Sequence, residues 1–184
     1  MITAKDAANF FIKLYRGYES NNDLTNLKLN KLLYFAQGHS FERLGHPLFT
    51  DEIEAWKDGP VIKNIYHLVK HNHSKPIKRT IGTFDSSILS DEEKELLFDI
   101  AREYGKYSAQ ELSNMTHESD TPWSAYYTGA HDVIIPKADI DKYFKRAGKL
   151  KTFDFEIPES DYIGYHDENG NLILPKEELD DWQY

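Results

Sequence analysis

Apolar positions along the chain follow two periods, and the change from one to the other marks out the predicted elements. Ala7, Phe11, Leu14 and Tyr18 recur at helical spacing behind Thr3 and Asp6, which are spaced as a cap and its N3 carboxylate. This predicts a first helix of about four turns. A polar loop, "GYESNNDL", follows. The next stretch, "LTNLKLNKLLYFAQGHSFERLG" (Leu24–Gly45), predicts a second helix capped by Thr25, with Gly45 at the C′ position. On a helical wheel Leu29, Leu32, Leu33, Ala36 and Leu44 form one stripe, and Leu27, Tyr34, Gly38 and Phe41 form another roughly opposite. Lys28, Lys31 and Glu42 project on one flank between them, Asn30 and Gln37 on the other. A helix greasy on two sides belongs between layers, at the centre of a domain. Its polar flanks are expected to meet solvent, and Gly38 to permit a close backbone approach.

The period shortens in "HPLFTDEIEAWKDGPV". Glu52 to Trp56 alternate as a short strand, for which "PLF" is the expected ribbon partner. Asp58-Gly59 reads as a turn and Pro60 as the first position of a third helix, with Val61, Ile65, Leu68 and Val69 inward. A basic connection, "HNHSKPIKRTIGTFDSS", leads to a fourth helix boxed by Ser90 and Glu93, with Leu96, Leu97, Ile100, Ala101 and Tyr104 inward. Ser108 and Glu111 repeat the box, with Tyr107 and Leu112 spaced as a hydrophobic staple. Thr121 and Pro122 open a short helix ended by Gly129, and Pro136 opens a last one ended by Gly148. The fold class is therefore mainly α (α+β): a compact multi-helix domain around a central two-sided helix, with a short β ribbon. Residues 1–148 form this domain. Residues 149–184 form an extension in which "YIGYHDENGNLIL" predicts a β-hairpin turning at Asn169-Gly170.

Composition sharpens the picture. With 40% hydrophobic and 14% aromatic residues, the chain can bury a core. The absence of cysteine rules out disulfides and thiolate zinc sites, and a cytoplasmic location is expected. The start lacks the pattern of a secretory signal, and no apolar run is long enough to span a membrane. Of the net charge of −9, residues 150–184 carry −8, from 2 basic and 10 acidic residues. Such a balance makes nucleic acid an unlikely partner and favours a basic protein surface.

Candidate chemistry is sparse. His117 with Glu118 and Asp120 could serve as an acid–base cluster, but no nucleophile stands beside it, and a loop-stabilising role is preferred. His67 and His71, four apart on a helix, point away from the apolar face and lack the H-E-x-x-H pattern, so no metal site is expected. No glycine-rich phosphate loop occurs. Lys28 and Lys31 are read as a solvated flank paired with an acidic neighbour in preference to partner contacts. Trp56 and Trp123 are read as core or turn anchors in preference to interface hot spots. The acidic extension interleaves its carboxylates with Phe153, Phe155, Tyr162, Tyr165 and Trp182; docking on its own domain or on a partner are both open.

Three runs carry a family resemblance: "LTNLKLNKLLYFAQG", "GHPLFTDEIEAWKDGPVIKNIY" and "YGKYSAQELSNMTHESDTPW". In one consistent order over roughly residues 5–145, they resemble the Panacea domain, the SocA-like antitoxin domain. The resemblance implies an antitoxin, often phage- or prophage-associated, that neutralises a co-encoded protein toxin by stoichiometric contact. No enzymatic activity and no cofactor are implied. The alternatives are an adaptor that delivers the toxin or another client to a protease, and an enzyme that reverses the toxin's modification. Candidate toxin contacts are Lys28, Lys31, Tyr34 and Gln37 of the central helix, then Trp56, His117 and Trp123. In the extension they are Tyr162, Tyr165, Asp167, Glu168 and Trp182. The cognate toxin is expected to present a basic surface.

Overall fold

The computed structural model describes residues 2–17, 23–130, 132–148 and 150, and the backbone alone of residues 165–166 and 172–173. The chain divides into two compact units, Met1–Lys151 and Thr152–Tyr184.

In the first unit, α1 (Ala4–Gly17) leads to the central α2 (Asn26–Arg43). A two-stranded ribbon, β1 (Glu54–Trp56) and β2 (Gly59–Val61), precedes α3 (Lys63–Val69). The series α4 (Asp91–Tyr104), α5 (Ala109–Thr116), α6 (Pro122–Tyr126) and α7 (Lys137–Ala147) completes it. The caps fall where the sequence puts them. Thr25 accepts from Lys28 N, Ser90–Glu93 and Ser108–Glu111 are both reciprocal capping boxes, and Thr121 accepts from Ser124 N ahead of Pro122. Each box satisfies two main-chain N–H groups that the first helical turn leaves without partners.

α2 is the hub, touching α1, α3, α4, α5, α7 and β2. Leu29, Leu32, Leu33 and Ala36 are fully enclosed, as are Phe11 and Ile12 of α1 and Leu96, Leu97 and Ile100 of α4. At Gly38 an added Cβ would lie 2.3 Å from the Phe144 ring of α7, so the close approach expected there is made by an aromatic side chain.

Four expectations need correction. The flanks of α2 are not solvated along most of its length: every residue from Lys28 to Ser40 is buried, because neighbouring helices and the ribbon close over the strips between the two stripes. Of the flank residues only Glu42, beyond them, is exposed as expected. The ribbon partner of β1 is β2, with Glu54↔Val61, Ala55↔Pro60 and Trp56↔Gly59, and not "PLF". Leu48 and Phe49 are instead held on α2, where their amides donate to Ser40 Oγ (2.9 Å) and Gln37 Oε1 (3.1 Å). Pro60 accordingly lies in a strand, where its missing N–H costs no ladder bond at the middle of so short a pairing, and α3 begins at Lys63. Leu68 is 47% exposed, since it sits about 100° round the helix from Val69, off the core face that takes Ile65 and Val69.

In the second unit, β3 (Tyr165–His166) pairs antiparallel with β4 (Leu172–Ile173) in the register Tyr165↔Ile173 and His166↔Leu172. The predicted turn at Asn169-Gly170 lies outside the described residues.

Candidate functional site

The β1–β2 turn concentrates the structure's polar side-chain bonding. A tight turn leaves main-chain carbonyls without ladder partners, and each that is buried unsatisfied costs about 1–3 kcal/mol. Here four carbonyls of the segment Trp56–Pro60 each receive a side chain from a different position in the domain. Trp123 Nε1 of α6 donates to Trp56 O at 2.7 Å, and Ser113 Oγ of α5 donates to Asp58 O at 2.8 Å. His117 Nε2, at the end of α5, lies 3.0 Å from Lys57 O, and Lys31 Nζ of α2 donates to Pro60 O at 3.0 Å. Gly59, with φ 103°, sits between them, and a Cβ there would lie 2.6 Å from Thr116 Oγ1 and 2.7 Å from Lys31 Nζ. Only glycine fits both that backbone and that space.

The clamp is itself fixed. His117 Nδ1 lies 2.6 Å from Ser113 O, so both ring nitrogens face main-chain carbonyls, and the ring packs on Trp123 with centroids 3.7 Å apart. Tyr127 also stacks on Trp123, with centroids 4.6 Å apart. Thr121 Oγ1 donates to Thr116 O (2.8 Å) and closes the α5–α6 loop beneath them. The second edge of β1 is covered as well: Ala55 N donates to Val133 O and Ile135 N to Ile53 O, both at 2.8 Å.

Lys31 is completely enclosed. Burial lowers its pKa from 10.5 to about 7, opposed by the nearby Asp58 carboxylate. Lys28, 1% exposed, is held differently: its Nζ donates to Asp23 Oδ2 at 2.6 Å and to Gly105 O at 2.7 Å, over the face of Tyr15. These two lysines fasten neighbouring segments to α2 and do not form a solvated flank.

Beside the turn opens a cleft of about 590 Å³. Leu27, Val61, Trp56 and Tyr66 give it apolar walls, and Asn26, Asn30, Asp58 and Lys70 give it polar ones. Trp56 is set against Tyr66 at 4.9 Å and donates from Nε1 to Glu54 Oε2 at 2.7 Å. Asn30 accepts from Ile62 N (2.9 Å) and donates to Asn26, whose own amide donates to Tyr66 O, so this wall is tied across α2 and α3. The side chains of Lys57 and Asp58, by contrast, are exposed at the tip.

The sequence candidates thus separate. Trp56 lines the cleft, and Lys31, His117 and Trp123 hold the turn behind it. Lys28, Tyr34 and Gln37 are interior. Glu118 and Asp120 are exposed, away from the two carbonyls that hold the His117 ring. Tyr162, Asp167, Glu168 and Trp182 lie outside the described residues, and Tyr165 is described in its backbone only. Ser113 and Asn26 were not singled out by sequence, although each stands four residues before a partner on its own helix: Ser113 before His117, Asn26 before Asn30. His67 and His71 are exposed, and among the described residues no group of three acidic or histidine side chains converges as metal ligands do. Among the described residues, no helix is long and apolar enough to cross a membrane.

The family model described as Antitoxin SocA-like, Panacea domain, matches residues 29–124, which take in α2 from Leu29 onward, the ribbon, the clamp and the start of α6. The chain is also similar to Antitoxin SocA of Caulobacter vibrioides (strain NA1000 / CB15N). The two are 32% identical over 115 residues, covering 58% of this chain and 61% of that protein. The match therefore spans less than two thirds of the relative's length. No solved structure matches the chain.

Proposed function

Because the chain belongs to the SocA-like antitoxin family built on the Panacea domain, we propose that it neutralises a co-encoded protein toxin by covering part of the toxin's surface in a fixed ratio, in the cytoplasm. The observation that carries this reading is the clamped turn. Four side chains from three helices and the α5–α6 junction hold a two-residue tip whose own charged side chains face outward beside a mixed apolar and polar cleft. A surface rigid before contact loses little conformational freedom on binding, which is the requirement for tight stoichiometric inhibition. In this reading Lys57, Asp58 and Trp56 meet the toxin, while Lys31, Ser113, His117 and Trp123 position them. The acidic residues of 150–184, among them Asp167 and Glu168, supply long-range attraction to a basic toxin surface.

The test is co-expression with the product of the adjacent gene. Growth rescue is expected to track the amount of complex that co-purifies. The charge reversal K57E is expected to weaken that complex while leaving the thermal midpoint unchanged, since the Lys57 side chain is exposed. Rescue by amounts far below the toxin's own, with no complex formed, would instead identify catalysis. Rescue lost in protease-deficient cells would identify delivery to a protease.

A further inference from the structure

A second surface of the domain has the opposite electrostatic character to the chain as a whole. Residues 63–84 contain five Lys and Arg and no Asp or Glu, in a protein of net charge −9. After α3 this segment folds into a groove of about 630 Å³. Lys75, Lys78, Arg79 and His71 line it and are exposed, and its apolar lining includes Leu68, Pro76 and Ile81. Among the described residues none of Lys75, Lys78 and Arg79 is paired with a carboxylate. Unpaired cations gathered in one concavity raise the local positive potential that an incoming anion meets.

The groove is built in advance. Ile77 is 1% exposed, and its N–H donates to Leu24 O at 2.9 Å. Asn9 of α1 grips Ile81 from both sides, accepting from its N–H at 2.7 Å and donating to its carbonyl at 3.3 Å. Two fixed points therefore hold the basic strip open between them, and the apolar Leu68 stays at its edge without a neighbour to cover it. Solvent contact by a leucine at the mouth of a cationic groove is the arrangement that a partly apolar occupant would relieve.

We infer that this groove is a docking surface for an acidic protein segment carrying aliphatic side chains among its carboxylates. The lysines and arginine would pair with the carboxylates, and Leu68, Pro76 and Ile81 would take the aliphatic groups. The chemistry of the lining selects protein over nucleic acid. No Phe, Tyr or Trp lines the groove, so unpaired bases lack the broad stacking platform they need, whereas Leu68, Pro76 and Ile81 offer aliphatic contacts that a protein segment can use. This surface does not depend on the toxin-binding reading, which concerns the β1–β2 turn, and it stands or falls separately.

The experiment measures fluorescence anisotropy of the full chain with three labelled probes: a short peptide of glutamates with leucines at intervals, an all-glutamate peptide of equal length, and a single-stranded uridine RNA. The leucine-bearing peptide is expected to bind about ten-fold more tightly than the all-glutamate one, and to weaken steeply with added salt. K75E/K78E/R79E is expected to abolish binding. L68S is expected to remove the preference for leucines while preserving the salt dependence. Circular dichroism and thermal melting confirm that each variant is folded. Equal binding of the two peptides, tighter binding of the RNA, or binding unchanged by the triple reversal would each overturn the proposal.

Discussion

Lys31 offers the sharpest quantitative test of the clamp. Its amine is fully enclosed, donates to Pro60 O, and has its pKa lowered from 10.5 to about 7, with burial as the main cause. The folded-state value lies below the unfolded one, so between about pH 7 and 10.5 the unfolded chain binds the additional proton. Unfolding free energy should therefore rise with pH across that window. For these two values, the Lys31 contribution increases by roughly 2 kcal/mol between pH 7 and pH 9. Lys31→Met keeps the length of the side chain, removes the titration, and gives up one hydrogen bond of about 1 kcal/mol. Urea denaturation of the wild type and of Lys31→Met at pH 7, 8 and 9 isolates the term, because every other group titrates equally in both proteins. The wild type should gain on Lys31→Met as pH rises, the difference between the two shifting in its favour by roughly 2 kcal/mol. Parallel curves would refute the reasoning: the amine would then be as solvated when folded as when unfolded, and could not be bound at the base of the turn as described.

Two further outcomes follow from the packing of α2. Gly38→Ala gains about 1 kcal/mol of helix propensity but drives a methyl group into the Phe144 ring, so a net loss of about 2 kcal/mol is expected in chemical denaturation. His39 is 6% exposed, bonds Tyr104 through Nε2 at 2.8 Å, and is held by burial at a pKa of about 4. With the folded value below the ordinary 6.5, stability present above pH 6.5 should be lost as pH falls toward 4, by about 3 kcal/mol in all. The same titration on His39→Gln should lack that slope.

Local chemistry was the part of this fold that could be read from sequence. Ser90 with Glu93, Ser108 with Glu111, and Thr121 with Pro122 announce helix starts because each cap is completed within four residues. The two-sided pattern of α2 likewise announced a central helix. The fate of its lysines was not legible, because burial of Lys28 and Lys31 depends on Gly105 and Pro60, which are distant in sequence and approach only when the whole domain closes. The ribbon register failed for a related reason. "PLF" and "GPV" are comparably suited to strands, and what excludes the first is its capture by Ser40 and Gln37 on α2. Trp56, His117 and Trp123 were visible as individual residues, whereas their convergence on one five-residue segment was not, since nothing in their spacing relates Trp56 to Trp123.

The turn between β1 and β2 is fastened from three helices and the α5–α6 junction at once, and on the proposed reading that would limit how this scaffold changes its targets. A loop free to remodel could adapt by swinging; this one would have to break several bonds together to move at all. On the proposed reading, new specificity would come from exchanging the outward residue Lys57 or the rim around it, while Asp58, whose charge acts on Lys31, and the framework beneath stay constant. The ribbon tip resembles a fixed socket with one replaceable pin, and libraries randomised at Lys57 alone should keep the fold, and on the proposed reading yield altered binders.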